Sequence, residues 1–202
     1  MKKAVVLMFP FLLAACGSDD SKSTPAPIPK PVPVLASDKC YLFDTTLGEF
    51  EVAIDLTNTP ITGKNFESYA NEGFYDGVIF HRIVHNFVNQ TGGFTSGLVA
   101  KKGKDPIKNE ANVGLSNVRG TLSMARTNNP DSGTSQFFIN VIDNTNLDYS
   151  GSFPGHAVFG KVTSGIEVVD QINIVDIHTS NGFSHVPVTD VVINTVTEKQ
   201  CQ

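Results

Sequence analysis

One residue of fixed charge interrupts an apolar run. Residues 80–94 read F-H-R-I-V-H-N-F-V-N-Q-T-G-G-F, and Arg82 sits there among Phe80, Ile83, Val84, Phe87 and Val88, whose types and alternation predict strands. A guanidinium does not release its proton, so beside an apolar wall it is either salt-bridged or held for a ligand carbonyl or amide. A second stretch, residues 120–140, reads G-T-L-S-M-A-R-T-N-N-P-D-S-G-T-S-Q-F-F-I-N. It predicts two short strands around a turn-rich loop, with Gln136 and Phe138 on one strand face. Together the two stretches supply a cation, amides and an aromatic wall for a single cleft.

Those stretches carry a resemblance. F-H-R-I-V-x-x-F-V-x-Q, R-G-T-L-S-M-A-R, S-Q-F-F-I-N and, at residues 157–162, A-V-F-G-K-V resemble the signature blocks of cyclophilin-type peptidyl-prolyl cis-trans isomerases. The blocks run in order from about residue 40 to about residue 197, and M-A-R in place of M-A-N is similar to the bacterial envelope branch. The resemblance implies that Arg82 is the catalytic group. It also implies that Phe87, Val88, Phe138 and Leu147 form a pocket for the proline ring. Gln90 would orient Arg82 or touch the peptide, the backbone at Ala125 and Arg126 would pin the residues before the proline, and Gln136 and His156 would line the groove. Val88 stands where a methionine is common, which leaves a shorter wall. Asn146 replaces a frequent tryptophan, which implies weak cyclosporin binding, and the loop over residues 148–155 is longer than in compact members. No cofactor is implied, and the partners are proline-containing polypeptides.

The elements that must position these residues are mostly strands. Residues 40–45 and 50–56 predict a hairpin around Leu47-Gly48, the second strand alternating Phe50, Val52, Ile54 and Leu56 with polar or small residues. A helix is predicted over residues 62–71, capped by Thr59 or Thr62, burying Phe66, Tyr69 and Ala70 and ending near Gly73. Further strands are predicted at 78–83, 87–90, 121–124, 137–140, 157–161 and 191–197, with a second helix at 166–174. Many short strands with two helices predict a mainly β fold: a closed eight-stranded antiparallel barrel capped by two α-helices, as the resemblance also implies.

Composition bounds the alternatives. The 202 residues are 40% hydrophobic and 17% charged, enough for one domain and an extension, and the formal charge of −5 offers no basic surface for nucleic acid. His81 and His85 lack companion ligands for a metal, and Gly155-His156-Ala157-Val158-Phe159-Gly160-Lys161 copies part of a phosphate-binding loop but is followed by Val162 rather than Ser or Thr. A monomer is expected. Two function classes fit: an isomerase of Xaa-Pro bonds, and a proline-segment binding lipoprotein with little turnover. The cleft residues favour the enzyme.

The N-terminal region reads as targeting. Lys2 and Lys3 precede an apolar run too short to span a bilayer, ending Leu13-Ala14-Ala15-Cys16, which resembles a bacterial lipobox with Cys16 as the lipidated residue. Residues 1–15 are thus expected to be a signal peptide and residues 16–37 a tether, with Pro25, Pro27, Pro29, Pro31 and Pro33 at alternate positions. Residues 38–202 are expected to be the isomerase domain. The expected location is the bacterial envelope, facing the periplasm and anchored through Cys16. Gly17, where an aspartate would favour the inner membrane, points to the outer one. Cys40 and Cys201 bracket the domain, and in an oxidising envelope they are a disulfide candidate; the resemblance sharpens it, because first and last barrel strands are neighbours in that family.

Overall fold

The computed structural model describes residues 33–201. Cys16, the expected signal peptide and the expected tether up to residue 32 lie outside the described residues. In chain order the elements are β1 (Lys39–Thr45), β2 (Gly48–Ile54), α1 (Pro60–Asn71), β3 (Arg82–Val84), β4 (Val88–Thr91), β5 (Phe94–Thr95) and β6 (Val99–Ala100). They continue with β7 (Thr121–Met124), β8 (Phe137–Asn140), β9 (Val158–Ser164), α2 (Ile166–Asn173), β10 (Ile177–Ser180), β11 (Phe183–Pro187) and β12 (Ile193–Lys199).

Eight strands form one antiparallel sheet in the order β12-β1-β2-β9-β7-β8-β4-β3. Its curl brings the two ends together, but β3 and β12 share no ladder, so the closed barrel expected from the sequence needs correction. The seam is stitched by residues ahead of β3 against the lead-in and first residue of β12: Ile79 bridges Val192, Gly77 N donates to Ile193 O at 2.8 Å, and Phe80 N donates to Val191 O at 2.9 Å. The strand predicted over 78–83 is accordingly broken, its first half belonging to the seam and Arg82 opening β3.

The sheet encloses an aromatic core. Phe43 and Phe50 lie opposite each other in the β1–β2 register and stack at 4.8 Å between centroids. Into that space α1 projects Phe66, edge-on to Tyr41 at 5.3 Å and to Phe137 at 5.7 Å, all fully buried. Such buried aromatic pairs add roughly 0.5–1.5 kcal/mol each beyond the area they bury. The helix lies so near β2 that a Cβ on Gly63 would stand 2.5 Å from the Asp55 carbonyl, which excludes any larger residue there.

The start of α1 departs from the sequence reading. Neither Thr59 nor Thr62 caps the helix with its side chain, and Thr59 Oγ1 donates instead to Asp55 O. Glu110, from a loop 48 residues beyond Thr62, takes over: its carboxylate accepts from Ile61 N, Thr62 N and Thr62 Oγ1 at 2.8–3.2 Å. An anion at this end also suits the helix dipole. The chain ahead of β1 is fastened as well, since the buried Asp55 carboxylate accepts from Ala36 N at 2.9 Å and Asn58 Nδ2 donates to Val34 O at 3.0 Å. The far end closes on the same region, where Cys40 and Cys201 form a disulfide spanning 161 residues.

α2 positions the hairpin that carries Arg82. Val168, Val169 and Ile172 are buried, and Asn173 at its end donates to Val84 O and Asn89 Oδ1 while accepting from Asn86 N. Asn89 completes the clasp by donating to Val169 O at 2.9 Å. The β3–β4 turn is thereby tied down by side-chain amides, with Asn86 in the left-handed region at φ 54°. The β10–β11 hairpin, not predicted from the sequence, lies beside β3, with Phe183 edge-on to Phe94 at 5.2 Å.

Two expectations follow. Glu110→Ala should lower the unfolding free energy by about 1 kcal/mol in urea denaturation, as loss of a cap does elsewhere, and an unchanged midpoint would show the contact to be idle. His81, buried beside Phe94 with its Nδ1 unpartnered, has its pKa lowered to about 4 by burial and by the Arg82 charge. The unfolded ring takes up a proton near pH 6.5 and the folded one only near 4, so stability from this group is intact above pH 6.5 and falls away between those values. NMR titration of the ring should give a midpoint near 4; a midpoint above 6 would contradict the burial argument.

Candidate active site

Register builds the centre of the site. Arg82 pairs with Gln90 across β3–β4, Gln90 with Phe138 across β4–β8, and Phe138 with Ser123 across β8–β7. Cross-strand partners share a face, so the cation, the amide and the ring stand in a row across neighbouring strands. Val88, two residues before Gln90, falls on the same face of β4. Phe87 from the β3–β4 turn, Leu147 from a single 3₁₀ turn (Thr145–Leu147) and His156 from the lead into β9 close the remaining sides.

The result is a hollow of about 200 Å³ lined by Arg82, Phe87, Val88, Gln90, Ala125, Arg126, Phe138, Leu147 and His156. Of the site residues expected from the sequence, Gln136 alone falls outside it. Gln136 instead lines a second hollow of about 220 Å³ with Thr127, Ser132 and Thr134, and the two hollows share Gln90, Ala125 and Arg126. The three hydroxyl residues of this second hollow went unnoticed in the sequence. They lie in the turn-rich loop between β7 and β8, where no period marks which side chains face inward.

Hydrogen bonds set the polarity. Arg82 Nη1 donates to Gln90 Oε1 at 3.3 Å, and Gln90 Nε2 donates to Gln136 Oε1 at 3.1 Å. A guanidinium only donates, so each amide must receive on its oxygen and pass on its NH₂, which leaves Gln136 Nε2 free to donate onward. Arg82 is part-buried, and burial lowers its pKa from the ordinary value. The five ion pairs among the described residues do not include it. Among the described residues no carboxylate pairs with its charge, and one neutral amide steadies it.

His156 accepts a different restraint. Its Nδ1 lies 3.0 Å from Met124 O, and a carbonyl only accepts, so Nδ1 carries the proton and Nε2 is bare in the neutral ring. Burial lowers the His156 pKa, the Arg126 charge adds to this, and the ring meets Phe138 edge-on at 5.3 Å. At neutral pH the ring is an uncharged wall. Ala125 lines both hollows, and with its N–H engaged by Gln136 O at 3.0 Å its backbone has the carbonyl left to offer a ligand. Among the described residues no acceptor takes the Arg126 N–H, which is therefore the amide open to a ligand.

Behind the hollow lies a buried amide cluster with no sequence signal. Asn144 Nδ2 donates to Phe87 O and to Asn140 Oδ1, Leu147 N donates to Asn144 O, and His156 N donates to Leu147 O, all at 2.8–3.0 Å. Asn117 joins them through Asn144 N and is itself held by Asp148, whose Oδ1 accepts from Asn117 N and Nδ2 at 2.7 and 2.8 Å. Three irregular segments thus reach the pocket as one connected wall. His81 is buried beside Phe94 while His85 is exposed with its Nε2 3.0 Å from Val175 O, and among the described residues no group of three or more metal-ligating side chains occurs.

Comparison with known proteins identifies the arrangement. Residues 40–198 match the family model described as cyclophilin type peptidyl-prolyl cis-trans isomerase/CLD. A peptidyl-prolyl cis-trans isomerase of Acinetobacter baylyi is 51% identical over 152 residues, covering 75% of this chain and 81% of the relative. Peptidyl-prolyl cis-trans isomerase B of Escherichia coli K12 is 48% identical over 158 residues, covering 77% of this chain and 96% of the relative. Among solved structures, a cyclophilin type peptidyl-prolyl cis-trans isomerase of Cryptosporidium parvum superposes with a TM-score of 0.70 at 23% identity, over 81% of this chain and 99% of that one, which bears on the fold alone. With the match spanning nearly the whole described domain, the chain belongs to the cyclophilin-type peptidyl-prolyl cis-trans isomerase family.

Proposed function

We propose that this protein isomerises Xaa-Pro bonds in exported polypeptides, working from a lipid anchor in the bacterial envelope, with Arg82 as the catalytic group. The observation that carries the reading is a cation without a carboxylate partner, braced by Gln90 at the edge of an apolar hollow.

The reaction makes and breaks no covalent bond. Amide resonance opposes twisting with a barrier near 20 kcal/mol, and isomerisation takes tens of seconds uncatalysed. In the twisted state the imide nitrogen loses conjugation and becomes a better acceptor. A donor aimed at it is therefore stronger in the transition state than in the ground state, which is the condition for raising the rate. Arg82 supplies such a donor. Phe87, Val88, Phe138 and Leu147 hold the ring, the neutral His156 closes the wall, and the Arg126 N–H with the Gln90 and Gln136 amides fixes the chain on the other side of the bond.

Magnitudes divide the labour. A roughly 10⁴-fold acceleration needs about 5–6 kcal/mol, and one charge-assisted hydrogen bond supplies roughly 1.5–3 kcal/mol. The remainder falls to anchoring one side of the rotating bond and to a site where the planar amide is less well solvated than in water. No proton transfer is required of His156, whose role is contact.

The envelope assignment rests on the lipobox at Leu13-Ala14-Ala15-Cys16, and the bonded Cys40–Cys201 pair supports an oxidising compartment. In this reading the proline-rich residues 16–37 are the tether between Cys16 and the domain, and the domain acts as a monomer, with the outer membrane as the expected site.

Arg82→Ala should keep its circular dichroism spectrum and lose roughly 10- to 100-fold in kcat/KM on a short Xaa-Pro peptide, the value of one charge-assisted hydrogen bond. A loss below twofold would remove Arg82 from the mechanism. For the anchor, cells fed labelled palmitate should label the wild-type chain and not Cys16→Ser, with the variant recovered in the soluble fraction; label on both, or on neither, would end the lipoprotein assignment.

A further inference from the structure

A second cation stands where the hollows meet, and the isomerisation step makes no use of its charge. Arg126, two residues past the end of β7, lines both hollows. Its Nε donates to Gly155 O at 2.8 Å, its Nη1 donates to Thr127 O at 2.9 Å, and its guanidinium carbon lies 5.2 Å from the centre of the Phe153 ring. Two backbone carbonyls and an aromatic face hold the group in one pose without neutralising it. Among the described residues the buried Nη2 has no hydrogen-bond partner, Arg126 is in none of the ion pairs, and no Asp or Glu lines either hollow. Its charge acts on the proline side of the cleft, since it is one of the influences that lower the His156 pKa.

The geometry points to Arg126 as a specificity-determining residue that favours client segments with Asp or Glu within two residues before the proline and disfavours Lys or Arg there. The inference rests on the isomerase reading, which lays the residues preceding the proline along the Arg126 backbone. A client side chain at those positions then comes within several ångströms of the fixed guanidinium. A carboxylate gains there what an ammonium loses, and the fork, already held by Gly155 and Thr127, forfeits little further freedom on binding. Phe153 comes from the long loop over residues 148–155, so that extension is given a role as the outer support of the selecting group. The other cations close by are Arg82, in the first hollow, and Lys108, beside Arg126 in a small neighbouring cavity. Asp131 is the acidic residue of the loop between β7 and β8, and its Oδ1 is engaged by Asn109 N at 2.9 Å.

The test uses five peptides: Ala-Ala-Pro-Phe, and versions with Glu or Lys at either position before the proline, assayed by NMR exchange and by binding titration. At about 0.01 M salt the wild type should turn over one of the Glu peptides about tenfold better than its Lys counterpart, chiefly through KM, and at about 1 M salt the ratio should shrink as screening shortens the reach of the charge. In Arg126→Gln the ratio should fall towards one, whatever happens to turnover of the neutral peptide, and Arg126→Lys should retain part of it. A wild-type ratio near one at both positions, or a ratio that survives Arg126→Gln and so belongs to Arg82 or Lys108, overturns the assignment. Failure of the wild type to turn over any of the peptides counts against the isomerase reading instead, and the dissociation constants from the titrations still measure the charge preference.

Discussion

A positive charge kept free of counter-charge at the edge of an apolar hollow is the condition on which this structure turns. Taking a guanidinium partly out of water is costly, and a carboxylate neighbour would be the usual remedy. Here a salt bridge would absorb the donor that the proposed mechanism aims at a twisting amide. Gln90 offers a weaker alternative: one neutral acceptor that fixes the direction of the group and leaves its charge available. The amide relay to Gln136 then carries the same polarity towards the second hollow.

That arrangement needs a rigid frame, and much of the frame is built from buried amides rather than from more sheet. Asn89 and Asn173 lock the hairpin bearing Arg82 against α2. Asn117, Asn140 and Asn144, with Asp148, do the same for the loops bearing Leu147 and His156. A polar group in such surroundings is stabilising only when its bonds are made, so these clusters tolerate few alternative arrangements and confer one geometry on segments that lack regular structure. Glu110 at the head of α1 follows the same logic, a distant side chain completing what local residues leave open.

Much of this was legible in the sequence, for identifiable reasons. The strands at 121–124 and 137–140 and the buried face of Phe66, Tyr69 and Ala70 follow from period and residue type, which burial imposes directly. The hollow containing Arg82, Phe87, Val88, Phe138, Leu147 and His156 followed from the blocks resembling a known family, because periodicity alone does not distinguish a pocket wall from a core. What escaped was set by contacts between residues far apart in the chain. The cap from Glu110, the asparagine clusters and the stacking of Arg126 on Phe153 depend on loops meeting in space, and the break between β3 and β12 depends on the curl of the whole sheet. The β10–β11 hairpin leaves no such signal, because only Val186 and Pro187 of its short strands are buried and neither strand carries an apolar alternation.

The proposed mechanism requires the cleft to bind a rotated imide better than a flat one. The most direct measurement compares the affinity of the soluble domain for a proline peptide with that for an analogue of equal size whose proline amide is fixed out of plane. The twisted analogue should bind at least about 100-fold more tightly, the lower bound usual for transition-state mimics. Equal affinity for the two would mean that the hollow only holds proline, and would contradict it.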